Sequence, residues 1–211
     1  MAKFSDFDLV KVEKQFNINQ VRGLSSLDEW IDFVYDFQDS DIKFLNILKQ
    51  EMKDNANHWN EQELSLHFIG PMLSFVNFSD ENYRFNAFAA RPISAIVDGI
   101  EMWGMPDGMI ASGRREPKIP FFCLQEYKKQ IDPNGDPIGQ VLAAMLVGQE
   151  LNGHTQPIFG CYILGKEWNF MVLKEKEYAV SQSFDASSDE IIDIFRILQG
   201  LKKYVKEATK S

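Results

Sequence analysis

The run Phe121-Phe122-Cys123-Leu124-Gln125-Glu126-Tyr127 constrains this chain most. It has the length of a strand, and both of its faces are mostly apolar. A strand needs apolar residues on both faces only when it lies in the middle of a covered sheet. The run also ends on a contradiction. Side chains alternate along a strand, so Glu126 and Lys128 point the same way. Two charges on one face of such a strand are costly unless a partner, a metal or a cleft receives them.

The rest of the chain reads as the frame of that strand. Residues 1–78 read as helical. Ser40 or Asp41 is the expected cap of a helix carrying Ile42, Leu45, Leu48 and Met52. Asn60 is expected to cap a second helix running from Glu61 towards Phe75, with a kink or an early end at Pro71. Strands are expected at Arg84–Ala89, at Ile93–Val97 and Glu101–Trp103 around the hairpin dipeptide Asp98-Gly99, and over Met105–Ala111. Asp132-Pro133-Asn134-Gly135-Asp136-Pro137 is a loop signal, followed by a helix from Ile138 to about Leu151. Ile158–Leu164, Trp168–Leu173 and Glu177–Ser181 read as further strands. Ser187 and Glu190 are expected to form a capping box for an amphipathic helix ending near Tyr204, with basic residues at its close. The expected class is one mixed α/β (α+β) domain. A helical region over residues 1–58 packs on a core over residues 59–211 that includes the C-terminal helix.

Pro106-Asp107-Gly108 closes the strand before the central one. If those two strands pair as neighbours, Asp107 comes beside Glu126. Two adjacent carboxylates repel each other, and a hard divalent cation with oxygen ligands removes that conflict. The chemistry open to such a site is metal-assisted attack of water on a phosphate, with Lys128 orienting the water or offsetting developing charge. A turn role for Asp107 and a solvated charge couple for Glu126 and Lys128 are the plainer alternatives.

Pro106-Asp107 followed by Glu126-Tyr127-Lys128 resembles the PD-(D/E)xK nuclease superfamily, and the order of elements from about Asn60 to Leu173 is similar to its restriction-endonuclease-like fold. The stretch from Asn60 to Leu73 resembles a helix in nuclease domains of restriction enzymes. The resemblance implies a mixed central sheet flanked by helices and Mg²⁺ as cofactor, with Mn²⁺ as a substitute. It implies Asp107, Glu126 and Glu61 as metal ligands, joined by the Tyr127 carbonyl, with Lys128 as the fourth catalytic residue. Glu63 is the second choice on the Glu61 helix, where the alternative for Glu61 is a first-turn carboxylate favouring the helix dipole. Gln140 would be an auxiliary residue on the helix after Lys128, although the Tyr that often accompanies it four residues on is Ala144 here. The implied function is DNA phosphodiester hydrolysis in restriction, defence or repair, with RNA as the other candidate substrate. A homodimer or a partner subunit would supply target specificity. The alternative is a catalytically silent protein of the same fold serving as a binding or scaffold module.

Composition narrows the remaining classes. The 211 residues carry a net charge of −9, which argues against a general polyanion binder held by phosphate neutralisation. Arg114, Arg115 and Lys118 lie on the loop between the two motif strands, where they are candidates for backbone contacts with nucleic acid. Cys123 and Cys161 sit inside apolar runs and read as buried, reduced thiols. No Cys/His spacing suits zinc. Apolar runs are far too short to span a membrane, and the first residues lack the apolar core of a secretory signal, so the expected location is the cytoplasm. Gly160–Lys166 superficially matches a phosphate-binding loop. Glu167 stands where Ser or Thr is needed, and the residues between the glycines are strand-like.

Overall fold

The structure is a computed structural model, and it describes residues 1–79, 82, 84–129 and 136–209. The elements in chain order are β1 (Ala2–Lys3), α1 (Leu9–Phe16), β2 (Asn19–Gln20), α2 (Ser25–Ile31) and α3 (Asp39–Asn55). Next come α4 (Glu61–Leu64), a π-helical turn at Ser65–Ile69 and α5 (Gly70–Val76). The sheet strands follow as β3 (Asn86–Ala89), β4 (Ile93–Val97), β5 (Ile100–Gly104), β6 (Gly108–Ser112) and β7 (Lys118–Lys128). After α6 (Pro137–Leu151) come β8 (Ile158–Leu164), β9 (Glu167–Lys174), β10 (Glu177–Val180), β11 (Phe184–Asp185) and the closing α7 (Ile191–Ala208). The fold is mixed α+β.

The main sheet runs β2-β10-β9-β8-β7-β6-β3, with β11 also paired to β9. β7 lies inside it, antiparallel to β6 and parallel to β8. A parallel neighbour needs a crossover, and α6 supplies it. A second, smaller sheet has the order β1-β5-β4. In its hairpin Asp98 and Gly99 both take positive φ, 46° and 82°, as a two-residue turn that follows strand twist requires.

Each face of the main sheet has its own core. On one face Phe122, Cys123, Tyr127, Phe159 and Phe170 pack with Trp30, Phe68, Met72 and Phe195 of the surrounding helices. On the other, Leu124, Met109, Tyr162 and Met171 pack with Val141, Leu142 and Met145 of α6 and with Phe4 and Phe16 from the chain's beginning. Helix α6 is buried nearly all round because sheet and hairpin sandwich it, which is why its sequence lacks a polar face. Asp136 fixes its start, accepting from Gly139 N at 3.0 Å and from Leu9 N at 2.7 Å, and so ties α1 to α6.

Several local expectations change. Helix α3 begins one residue before Ser40; Gln38 is its cap, and Asp41 accepts from Gln38 N at 2.9 Å from the third helical position. The helix continues past Pro71 to Val76. The chain widens through the π turn, where Gly70 N donates to Ser65 O, and Pro71 then falls in the first turn of α5, where an amide is dispensable. Ser187 and Glu190 form no capping box. Glu190 is itself the cap residue of α7 and its carboxylate accepts from Asp185 N at 2.7 Å. The front third, though mostly helical, also contributes β1 and β2 to the two sheets. The loop signal at residues 132–135 lies outside the described residues, as does Lys210. Both cysteines are buried and unpaired, with burial pushing the Cys123 thiol up to about 12. The Gly160–Lys166 segment is strand β8 and a turn. Among the described residues no helix is long and apolar enough to cross a membrane.

Candidate active site

The β6–β7 register decides what Asp107 can do. Gly108 is opposite Gln125 and Met109 opposite Leu124. β6 begins at Gly108, and Asp107 is the residue before it, close enough for its charge to act on the Glu126 carboxyl. The two acids line different cavities: Asp107 one shared with Gln125 and Tyr127 against the α4–α5 segment, Glu126 one shared with Gln140 of α6. Asp107 is pinned on both flanks: its main-chain carbonyl accepts from Ala90 N at 3.0 Å, and its Oδ2 accepts from Tyr127 N at 2.7 Å. The Tyr127 amide thus gives its hydrogen to the Asp107 side chain, just beyond the last paired residue of β6.

Lys128 joins the carboxylates. Its Nζ lies 2.8 Å from Glu126 Oε1 and 4.0 Å from Glu61 Oε1. Glu61 opens α4 and is half-exposed, whereas Glu126 is 8% exposed. Glu63, three residues beyond the cap, is engaged elsewhere: its carboxylate accepts from Asn60 N at 2.8 Å while Glu63 N donates to Asn60 Oδ1 at 2.9 Å. Leu64, Phe68 and Met72 are buried, as expected for the inner side of that helix. Gln140, from the first turns of α6, lines a cavity of about 200 Å³ with Glu126, Lys3 and Trp103. Ala144 is buried in the α6 core.

The electrostatics follow from this crowding. Burial, and then the charge of Asp107, push the Glu126 carboxyl up to about 7 against the pull of Lys128. Burial also holds Asp107 above its ordinary range, against the Tyr127 amide and Lys128. For Lys128, burial works towards a lower pKa, but the hydrogen bond and charge of Glu126, with Glu61 and Asp107 behind them, raise it. Glu61, Asp107, Glu126 and Lys128 carry one cation for three acids. Among the described residues no three His, Cys, Asp or Glu side chains stand close enough to hold a metal ion. Asp107 and Glu126, with the Tyr127 carbonyl, offer hard oxygens, and a divalent cation between them would relieve the repulsion that raises Glu126.

Three features went unseen in the sequence. Gly108 is needed for a close approach, because a Cβ there would collide with the Gln125 amide and the Tyr127 hydroxyl. Those two buried groups bond to each other, Tyr127 OH donating to Gln125 Oε1. Asn152 clamps β7 from the end of α6, accepting from Phe121 N at 2.9 Å and donating to Phe121 O at 2.7 Å. Gly after Pro-Asp was the one available signal, and it read equally well as a turn. Lys118 starts β7 and Glu126 lies eight residues on, so roughly 26 Å of strand separates the basic loop from that carboxylate.

No protein-family model matches this sequence, and no curated protein matches it. Among solved structures, the cryo-EM structure of the DrdV–DNA complex aligns with a TM-score of 0.42 at 13% identity, covering 79% of this chain. The chain spans only 13% of that protein's length.

Proposed function

We propose that the protein is a metal-dependent nuclease that hydrolyses DNA phosphodiester bonds, on a fold of the restriction-endonuclease-like type. The observation that carries this reading is the crowding of charge at the end of β7: the Asp107 carboxylate on the Tyr127 amide, its charge acting on the Glu126 carboxyl, and the Lys128 ammonium 2.8 Å from Glu126 and 4.0 Å from Glu61. Structural ion pairs ordinarily keep carboxylates well below neutrality; a site built for a divalent cation lets them crowd. Asp107, Glu126 and the Tyr127 carbonyl would hold Mg²⁺ or Mn²⁺, and Glu61 reaches the site through Lys128 rather than through the metal. Such an ion supplies an activated water and polarises the phosphate oxygen. Lys128, whose raised pKa keeps it protonated at neutral pH, contributes positive charge at the scissile phosphate rather than accepting a proton. Glu61 and Glu126 fix where that ammonium sits. Gln140 contacts the same cavity as Glu126 and is a positioning residue.

A second reading has its own support. The Asp107 carboxylate is already engaged by the Tyr127 amide, as a purely structural capping group would be, and the chain carries −9 charges. A silent scaffold of this fold would keep that arrangement. Thermal unfolding with Mg²⁺, Mn²⁺ and chelator separates the two readings, since a ligand that binds only the folded state raises its Tm. The nuclease reading expects a rise that Asp107→Ala abolishes, together with cutting of plasmid or single-stranded DNA. A flat response with no cutting leaves the scaffold.

A further inference from the structure

A cavity of about 540 Å³ opens beside Asp107 between the α4–α5 helical segment and strands β3, β6 and β7. Its walls are mostly apolar, including Ile69, Leu73, Phe88 and Met109. Among the described residues that line it, Asp107 carries the only charged side chain. The polar groups at its floor are neutral and buried: the Gln125 amide, 1% exposed, and the Tyr127 hydroxyl that donates to it. Gly108 lets the floor close up against the strand. The helical wall carries the π turn at Ser65–Ile69, with Leu66 70% exposed at the rim. Turns of this kind are uncommon and frequent at functional sites.

The chemistry of this cavity is that of a pocket for a neutral, flat, weakly polar group: apolar walls, a few fixed amides and hydroxyls, and a volume within the range of small-ligand sites. It adjoins the carboxylate that the proposed function places at the scissile phosphate. A group tethered to that phosphate therefore reaches the cavity without leaving the site. We infer that the cavity receives one unstacked nucleobase of the strand being cut, and that the substrate is single-stranded or frayed nucleic acid rather than intact duplex. A base enclosed in a pocket cannot remain paired. Enclosing a base also supplies affinity that needs no phosphate neutralisation, which suits a chain of net charge −9 whose basic loop lies at the far end of β7. The inference rests on the nuclease reading for the role of the base, but the cavity's preference for a base is testable without it.

Ser74 lines the cavity from an exposed position on α5, so Ser74→Trp fills the space without disturbing the core. In metal-free buffer, 2′-deoxyadenosine is expected to raise the Tm of the parent protein, whereas deoxyribose 5-phosphate is not. Ser74→Trp should weaken the deoxyadenosine Kd about tenfold or more, roughly the worth of one enclosed base, while keeping the Tm rise produced by Mn²⁺ alone. Equal effects of the two probes, or unchanged deoxyadenosine binding in Ser74→Trp, overturn the assignment. With Mg²⁺ present, a single-stranded oligonucleotide should be cut at least about tenfold faster than its duplex; equal rates overturn the single-strand preference. If nothing is cut and no metal response exists, the nuclease reading fails, and the deoxyadenosine comparison still decides the cavity.

Discussion

Glu126→Gln tests the electrostatic heart of the site. Glu126 moves from an ordinary 4.5 to about 7 on folding. For an acid whose folded pKa is raised, the folded state binds the proton more tightly than the unfolded state. The stabilisation is therefore complete below pH 4.5 and is lost as pH rises through 7. The amount lost across that window is about 3 kcal/mol. For a chain of this size that corresponds to roughly 6–12 °C in Tm. Glutamine cannot titrate, so the variant should lack this fall, and parent and variant should diverge between pH 4.5 and about 8. Denaturant unfolding in chelator across pH 4.5–8.5 measures the gap directly. Mg²⁺ should narrow it at pH 8 by favouring the ionised pair. Parallel pH profiles for parent and variant would falsify the reasoning, because Glu126 would then be an ordinary solvated carboxylate.

Three further outcomes follow from the same geometry. Metal binding near pH 7 should release a fraction of a proton from Glu126, seen as a buffer-dependent calorimetric heat, and affinity should rise between pH 6 and 8; a buffer-independent heat contradicts this. Gly108→Ala should destabilise by about 1–3 kcal/mol in denaturant unfolding, since Gln125 and Tyr127 must shift to admit the methyl group; a neutral result means the floor of the cavity is looser than it stands here. Asn152→Ala should cost about 3 kcal/mol by stranding the buried amide and carbonyl of Phe121, and a loss under 1 kcal/mol would show that water replaces both bonds.

What was legible in the sequence was what neighbouring residues decide. The run Phe121–Tyr127 named a central strand because nothing else buries both faces. Asp98-Gly99 named a tight hairpin because two positive φ angles were required. The pairing of β6 with β7, which brings Asp107 to the Tyr127 amide, needed only that successive strands be neighbours. What escaped depends on distant partners. β1 and β2 are two residues each, and they exist because β5 and β10 offer an edge far along the chain. Asn152 reads as a helix end until Phe121 is seen beside it. The cap of α3 moved because Asp41 serves Gln38 from the third helical position, a reciprocal arrangement that the order of acids alone does not distinguish. Pro71 misled because the π turn before it shifts the hydrogen-bond ladder. Glu61 and Glu63 were separable only once Asn60 had claimed Glu63, leaving Glu61 as the helix carboxylate near Lys128.

The central claim is that Asp107, Glu126 and Lys128 together cut a phosphodiester bond, and single-turnover cleavage of single-stranded DNA with Mg²⁺ by the parent, Asp107→Asn and Lys128→Met tests it most directly. Metal-induced thermal stabilisation is measured on the same samples. The account predicts that Lys128→Met keeps a metal response but loses at least about a hundredfold in rate, as removal of one charge-stabilising group does elsewhere, and that Asp107→Asn loses both. Cleavage by either variant at the parental rate, or a parent that cuts equally well in chelator, contradicts it.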